Sequence, residues 1–364
     1  MKPYRPNKLP LDNLDYRALI GLVGEANAQL AEYNGLLQGM LNPVVMLSPL
    51  TNQEAVLSSK IEGTQATEKE VLEHEVGERY DENKNEDIRE ILNYRKTLMM
   101  GEAHVRDYGL SLNLILQLHE NLMNSVRGRT KSPGEFRKDQ NWIGPRGCTL
   151  EEASFVPPSP LQLLDYMRDW EDYLRLDDFD RLAQSALMHA QFELLHPFKD
   201  GNGRIGRLLI PLFLFQKKKL IRPMFYLSSY LERNRDEYYA RLNAISSKGD
   251  WMGWITFYLK AVSLQAKVDG QRVKSIMKLY EETKNKIINV TRSRYSGQLL
   301  DLLFKRPIFR ANDLCKRTGM PRSTAHGLLR QLEKEKLIFI LRPSVGRKSA
   351  TFIFERLLEI AEGR

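Results

Sequence analysis

A dozen consecutive residues hold most of the reactive chemistry of this chain: His196-Pro197-Phe198-Lys199-Asp200-Gly201-Asn202-Gly203-Arg204-Ile205-Gly206-Arg207. A histidine is the side chain best suited to accept a proton near neutral pH. Asp200 is a carboxylate of the kind that holds a magnesium ion bridging phosphates. Gly201, Asn202 and Gly203 read as a tight turn into a helix, where unpaired amides and the positive end of the helix dipole favour an anion. Arg204 and Arg207, three apart on one helix face, add fork-shaped donors for phosphate oxygens. No Gly-Lys-Ser/Thr follows the glycines, which separates this loop from a Walker loop. Taken singly, a histidine before proline, a Gly-Asn-Gly turn and a pair of arginines are more often structural. Contiguous and complementary, they indicate a phosphate site with a base beside it.

These residues need elements to position them. Leu182, Ala186, His189, Phe192 and Leu195 recur at spacings of three and four, which predicts a helix with one apolar stripe. Pro197 stops that helix, because it lacks an amide donor and restricts the residue before it. Residues 205–217 are apolar almost all round and predict a deeply buried helix. Upstream, Thr51-Asn52-Gln53-Glu54 fits a capping box, with Thr51 as N-cap of a helix over 52–62 that ends at Gly63. Glu62 then sits at a helix C-terminus, where the dipole disfavours negative charge and a compensating cation is expected. Asn141-Trp142-Ile143-Gly144 and Phe155-Val156-Pro157 fit either two short strands of a hairpin or a surface loop. Tyr230-Leu231-Glu232-Arg233 and Glu237-Tyr238-Tyr239 predict an aromatic-rich helix, and residues 251–262 an apolar helix that closes the bundle.

The loop resembles the signature of Fic-domain proteins, His-Pro-Phe-x-Asp/Glu-Gly-Asn-Gly-Arg-x-x-Arg, at every fixed position. The resemblance implies transfer of a nucleoside monophosphate, usually AMP from ATP, onto a Tyr, Ser or Thr hydroxyl of a protein, this chain included. By that resemblance His196 is catalytic and deprotonates the target hydroxyl, and Asp200 is the metal residue, holding Mg2+ between the phosphates. Gly201, Asn202, Gly203, Arg204, Ile205, Gly206 and Arg207 form the nucleotide-binding stretch, with both arginines on the β- and γ-phosphates and Phe198 anchoring the loop. The resemblance also places Tyr238 or Tyr239 beside the adenine, and reads the hairpin as a flap that aligns the target by strand-like pairing. Chemistry of this kind is mostly positioning and charge stabilisation, so these roles suffice.

Ser58-Ser59-Lys60-Ile61-Glu62-Gly63 resembles the inhibitory motif of the same family, Ser/Thr-x-x-x-Glu-Gly/Asn. That implies a pairing of Glu62 with Arg207, which would occupy the arginine the γ-phosphate needs, with Ser58 steadying the helix and Gly63 ending it. The resemblance runs from about residue 51 to about residue 259. The same glutamate could instead orient water to remove AMP, since a carboxylate near the phosphate can act as a base.

Past residue 265 the pattern changes. Residues 266–291 are polar and helical and read as a connector. Residues 299–304, a helix from Arg310 to Gly319 and a helix opened by Pro321 give a helix-turn-helix, with Ala325, Leu328, Leu329 and Leu332 facing inward. Two short strands, 338–341 and 350–354, flank Gly346-Arg347-Lys348 as in a wing. The segment resembles a winged helix-turn-helix, with Arg322, Ser323, Thr324 and His326 where base or phosphate contacts fall. Glu333 and Glu335 among the basic residues keep a protein-interaction role open beside DNA.

Composition bounds the rest. The chain has 364 residues, a formal net charge of +9 and two cysteines, Cys148 and Cys315, in no metal or redox spacing. Neither a disulfide framework nor a zinc site is expected on that count, and a cytoplasmic location is. The longest strongly apolar run, 208–215, is too short to span a membrane, and the first residues lack the apolar core of a secretory signal. The expected fold is mainly α: a helical Fic-domain bundle with a short β-hairpin flap, plus a C-terminal winged helix-turn-helix. Its segments are 1–105 with the inhibitory helix, 106–265 the catalytic core, 266–292 a connecting helix and 293–364 the winged helix. The expected partners are ATP, a protein substrate and, as candidates, DNA and a second copy of the chain. The rival expectation is a DNA-binding regulator whose Fic site senses nucleotide.

Overall fold

A computed structural model describes residues 2–363 except Val126, Arg146 and Arg347. Arg347, expected at the tip of the wing, therefore lies outside the described residues. Helices dominate: α1 (Tyr16–Gln38), α2 (Pro43–Met46), α3 (Ser48–Ile61), α4 (Glu68–Glu75), α5 (Glu82–Tyr108), α6 (Leu112–Leu122), α7 (Pro160–Arg175), α8 (Arg181–Leu195), α9 (Asn202–Gln216), α10 (Ser228–Arg233), α11 (Arg235–Lys248) and α12 (Trp251–Thr291). Then follow α13 (Ser296–Lys305), β1 (Ile308–Arg310), α14 (Ala311–Thr318), α15 (Arg322–Lys334), β2 (Phe339–Arg342), β3 (Thr351–Ile353) and α16 (Glu355–Glu362). The chain divides into two compact units, one of residues 1–34, 57–64 and 89–267, the other of residues 35–56, 65–88 and 268–364.

In the first unit, α8 is the central rod, with nearly every residue buried. Asp180 caps it by accepting the amides of Leu182 and Ala183 at 2.8 and 3.0 Å. Trp170 and Trp254 lie against it and donate their indole N–H groups to the carbonyls of Met188 and Ala186. The aromatic core around it includes Phe192, Phe198, Phe213 and Tyr258, each under 2 % exposed.

The second unit holds a three-stranded antiparallel sheet in the order β1-β3-β2, with Ile308 opposite Ile353 and Phe339 also opposite Ile353. Leu72 and Val76 of α4 and its C-cap join Ile308, Ile353 and Leu358 in one apolar cluster. Gly319, at φ 67°, ends α14 in the left-handed conformation that turns the chain toward α15.

Several sequence expectations change. The helix expected over 52–62 runs from Ser48 to Ile61, so Glu62 is the first residue past its end, and Thr51 lies inside it with its hydroxyl bonded back to the Leu47 carbonyl instead of capping. A true capping box stands at Thr67 and Glu70. The aromatic helix around Tyr230–Tyr239 is two helices, parted at Asn234. The 266–291 connector is the second half of the 41-residue α12. The winged helix has a third strand, β1, and a final helix, α16, that the sequence pattern did not disclose. The expected flap hairpin reduces to one bridge, Ile143 with Phe155.

Candidate active site

The loop between α8 and α9 begins at His196, which caps α8 in the left-handed conformation at φ 47°. A non-glycine residue there costs on the order of 1 kcal/mol. Arg137, 2 % exposed, holds it in place. Its Nε donates to the His196 carbonyl at 3.0 Å, and its terminal nitrogens donate to the carbonyls of Leu195, Asp139 and Pro158. Its own amide donates to the Pro197 carbonyl at 2.9 Å. Burial lowers the Arg137 pKa only to about 10, so the charge is kept. One arginine thus ties the helix end to both sides of the flap.

The His196 ring is set by a bond from Nδ1–H to the Glu193 carbonyl, 3.3 Å away. That assignment leaves Nε2 as the unprotonated nitrogen. Burial lowers the His196 pKa to about 4, with the Glu193 carbonyl and the Glu62 charge opposing it only in part. The imidazole is therefore neutral at pH 7, as a base must be.

The rest of the loop is closed on itself. The Asn202 side chain accepts the Phe198 amide at 2.8 Å and donates to the Phe198 carbonyl at 2.9 Å. Phe198 is fully buried and stacks on His119, with centroids 3.7 Å apart and planes 8° apart. His119 in turn accepts the Gly134 amide at Nδ1 and donates from Nε2 to the Asp200 carbonyl, both at 3.0 Å. Burial lowers its pKa to about 4, in keeping with the neutral tautomer those two bonds require. His119 was not singled out in the sequence. Its one trace there is a polar ring on the buried stripe of α6.

Gly201, at φ 80°, is the true turn residue, whereas Asn202 and Gly203 already belong to α9. Asp200 accepts the Gly201 amide through Oδ1 at 2.6 Å. Its Oδ2 has no partner among the described residues, and the side chain is 46 % exposed. No group of three or more His, Cys, Asp or Glu side chains that could hold a metal is found among the described residues. One open carboxylate oxygen beside an anion site fits magnesium, which keeps its waters and takes phosphate oxygens.

The two arginines diverge. Arg204 pairs with Glu90 at 2.9 Å and stands 3.5 Å from Asp200 Oδ1. Arg207 faces a cavity of about 730 Å3. Its Nε donates to Ser58 Oγ at 2.9 Å, and its Nη2 donates to the Ser58 carbonyl at 2.8 Å and to Glu62 Oε1 at 2.6 Å. Partial burial raises the Glu62 pKa, but the Arg207 charge and hydrogen bond outweigh it, and the net shift is downward. Gly203 makes the approach feasible: a Cβ there would collide with Glu62 Oε1. Gly63 leaves the helix at φ 102°.

His196, Gly203, Arg207, Glu62 and Tyr238 and Tyr239 of α11 share that cavity, with Trp142, Ile143 and Phe155 of the flap on its rim. Ile205 is buried in the core, and Gly206 lies against Glu193, so these two residues support the site from behind. Glu193 lines the cavity and passed unnoticed in the sequence. Its Oε1 has no hydrogen-bond partner among the described residues, with His189 Nε2 4.0 Å away, and burial raises its pKa to about 8. The Tyr238 hydroxyl donates to His189 Nε2 at 3.0 Å, while His189 Nδ1 donates to the Gly206 carbonyl at 3.1 Å. At the single bridge, Ile143 N–H donates to the Phe155 carbonyl at 2.8 Å and Phe155 N–H to the Ile143 carbonyl at 3.0 Å.

A left-handed histidine, a self-closed glycine turn and an arginine one helical turn further on, all set between two buried helices, define the Fic fold and its site. Residues 20–103 match the Fic/DOC family N-terminal domain and residues 109–214 the Fic/DOC family domain, and the chain belongs to the Fic/DOC family. Residues 297–338 match the IclR helix-turn-helix domain. Among its relatives is a probable protein adenylyltransferase of Aquifex aeolicus, 29 % identical over 54 % of this chain and 55 % of the relative. Another is the protein adenylyltransferase fic-1 of Caenorhabditis elegans, 27 % identical over 42 % of this chain. The chain spans about a quarter of the length of the nematode protein and about half of the Aquifex one. A crystal structure of a Fic family protein from Desulfovibrio desulfuricans shares the fold, with a TM-score of 0.61 at 21 % identity over 97 % of this chain and 98 % of that one. No helix among the described residues is long and apolar enough to cross a membrane.

Proposed function

We propose that this chain is a protein adenylyltransferase that moves AMP from ATP to a protein hydroxyl, and that Glu62 holds it inactive. The observation that carries the reading is Arg207, a buried guanidinium at the head of a cavity whose carboxylate partner comes from the helix bearing Ser58. An unblocked Arg207 together with the α9 N-terminus forms a cradle for the terminal phosphates. His196 Nε2 takes the proton of the target hydroxyl, the oxygen attacks the α-phosphorus, and the bond to the bridging oxygen breaks to release pyrophosphate. A magnesium ion at Asp200 would neutralise charge on the phosphates. The flap edge gives an extended target segment backbone groups to pair with.

The test is mass spectrometry of the Glu62→Gly protein after incubation with ATP and magnesium. A gain of one AMP on a hydroxyl side chain, absent from the Glu62→Gly/His196→Ala protein and weak in the wild type, is the expected result. Equal modification of wild type and Glu62→Gly would remove the inhibitory role, and none in either would remove the transferase reading.

The helix-turn-helix match supports a second reading, in which the C-terminal unit binds DNA. Arg322, Ser323, His326 and Arg330 are exposed on α15, while Arg310 and Arg342 of the sheet are engaged by Glu78 and Glu73. Retention on duplex DNA should fall steeply with salt, and each of Arg322→Ala and Arg330→Ala should reduce the salt slope by about 1. Retention indifferent to salt and to both substitutions would count against it.

A further inference from the structure

Resting on the reading of the hairpin around Ile143 and Phe155 as the flap that presents the target, we propose that residues 4–9 are a strap that holds it at the cavity rim, with Tyr4 and Asn7 as positioning residues. The hairpin has little to hold itself. Among the described residues its strands share one bridge, and Trp142 and Ile143 are 42 % and 40 % exposed. A two-stranded ribbon alone is marginal in water. Its root is secured by Arg137 and Gln140, which donate to the carbonyls of Pro158 and Pro157. The next carbonyl toward the bridge, that of Val156, goes to the strap, where the Tyr4 amide donates to it at 2.9 Å. Phe155 turns both its N–H and its carbonyl to Ile143, so the Val156 carbonyl faces the opposite edge of the strand.

The Tyr4 ring packs on Phe155, with centroids 5.7 Å apart and planes at 55°, and Phe155 is part of the cavity wall. The Tyr4 hydroxyl is buried without a partner among the described residues, so the amide and the ring do the bracing. The strap is anchored in the bundle at its other end. The Asn7 carbonyl accepts Gln191 Nε2–H at 2.8 Å, and its side-chain oxygen accepts Trp251 Nε1–H at 3.2 Å. Gln191 and Trp251 are each 5 % exposed, and buried donors of this kind are held to their partners. Leu9 is buried just beyond. Gln191 belongs to α8, the helix that ends at His196. The strap therefore runs from the helix that places the base to the flap that places the hydroxyl the base deprotonates.

Hydrogen–deuterium exchange of the wild type, Tyr4→Ala, Tyr4→Phe and Asn7→Ala proteins reads the strap without any turnover. Peptides covering Ile143 and Phe155 should exchange about tenfold faster in Tyr4→Ala and Asn7→Ala, with peptides of α8 unchanged. Tyr4→Phe keeps the ring and the amide and should match the wild type. Equal exchange of the flap in all four proteins overturns the strap, and melting temperatures close to the wild type verify that the variants fold. In the Glu62→Gly background, AMP incorporation is then mapped by mass spectrometry. Tyr4→Ala should lower the maximal rate about tenfold with KM for ATP unchanged, because the flap places the target and not the phosphates, and Tyr4→Phe should keep the parental rate. Loss of the label in Tyr4→Phe would make Tyr4 a target of transfer, and faster labelling of Tyr4→Ala would make the strap a competitor of the target. Either result overturns the positioning role. A Glu62→Gly parent that incorporates no AMP overturns the transferase reading and the role in presentation with it, while the exchange experiment still decides whether residues 4–9 brace the hairpin.

Discussion

Replacing Glu62 with glycine should lower the melting temperature of the nucleotide-free protein, and ATP should return more than was lost. Arg207 is 2 % exposed and keeps two of its three contacts, both to Ser58, in the variant. The bond that goes is the one to Glu62 Oε1 at 2.6 Å. A hydrogen bond between charged groups contributes about 1.5–3 kcal/mol. The Glu62 side chain is 36 % exposed, so water screens part of that, and removing a negative charge from a helix C-terminus recovers about 0.3–1 kcal/mol. The net loss is about 1 kcal/mol, or about 2–4 °C for a unit of this size. ATP at 100 times its dissociation constant adds about 2.7 kcal/mol, or about 5–11 °C. In the wild type the carboxylate competes for the same guanidinium, so the ATP shift should be smaller. ADP, which has no γ-phosphate, should separate the two proteins less than ATP does. Differential scanning fluorimetry of both proteins with no nucleotide, ADP and ATP reads all of this. Equal ATP shifts in the two proteins, or ADP and ATP separating them alike, would refute a shared claim on Arg207.

The pH dependence follows from the depressed histidines. His196 is lowered to about 4 even with the Glu62 charge raising it, so transfer by Glu62→Gly should hold level from about pH 7 to about 5 and fall only below that, as the base protonates. An acid limb near the ordinary histidine value of about 6.5 would contradict the desolvation of the ring. Stability should move in the same direction, because His119 and His196 are depressed to about 4 and His189 to about 3, which outweighs the opposite effect of Glu193, raised to about 8. Between about pH 6.5 and 4 the unfolded chain binds more protons, so the urea midpoint should drop as the pH is lowered through that window. Arg137→Ala leaves the buried carbonyls of Leu195, His196 and Pro158 without their donor. At about 1–3 kcal/mol for each unsatisfied group, the loss should be on the order of 3 kcal/mol by urea denaturation, and a loss under about 1 kcal/mol would dismiss the clasp.

The site was legible where its chemistry is contiguous. His196 to Arg207 and Ser58 to Gly63 each fall within a few residues of sequence, so type and spacing alone expose them. His119, Arg137 and Glu90 escaped because their bonds reach back to the loop from 59 to 114 positions away. Glu193 escaped for another reason: a glutamate two residues before Leu195 looks like a solvated face until the burial of α8 is known. The start of α3 was misplaced because Thr51-x-x-Glu54 and Thr67-x-x-Glu70 carry the same pattern. Pro49, a first-turn residue, was the overlooked sign that the helix begins at Ser48. The strand β1 is three residues long, too short for alternation to register.

A Cβ at Gly203 would collide with Glu62 Oε1, and on the proposed function the glutamate and the γ-phosphate compete for the head of α9. On that proposal one competitor diffuses and the other is tethered to the same chain, at an effective concentration that ATP would have to outcompete. The apparent affinity for the triphosphate is then its intrinsic affinity scaled by the fraction of molecules with the glutamate withdrawn. If that fraction is about 1 %, binding is weakened about 100-fold with no change in any contact the nucleotide makes. Throughput would be set by a conformational equilibrium rather than by nucleotide supply, and a bias of about 1.4 kcal/mol on that equilibrium would alter it about tenfold.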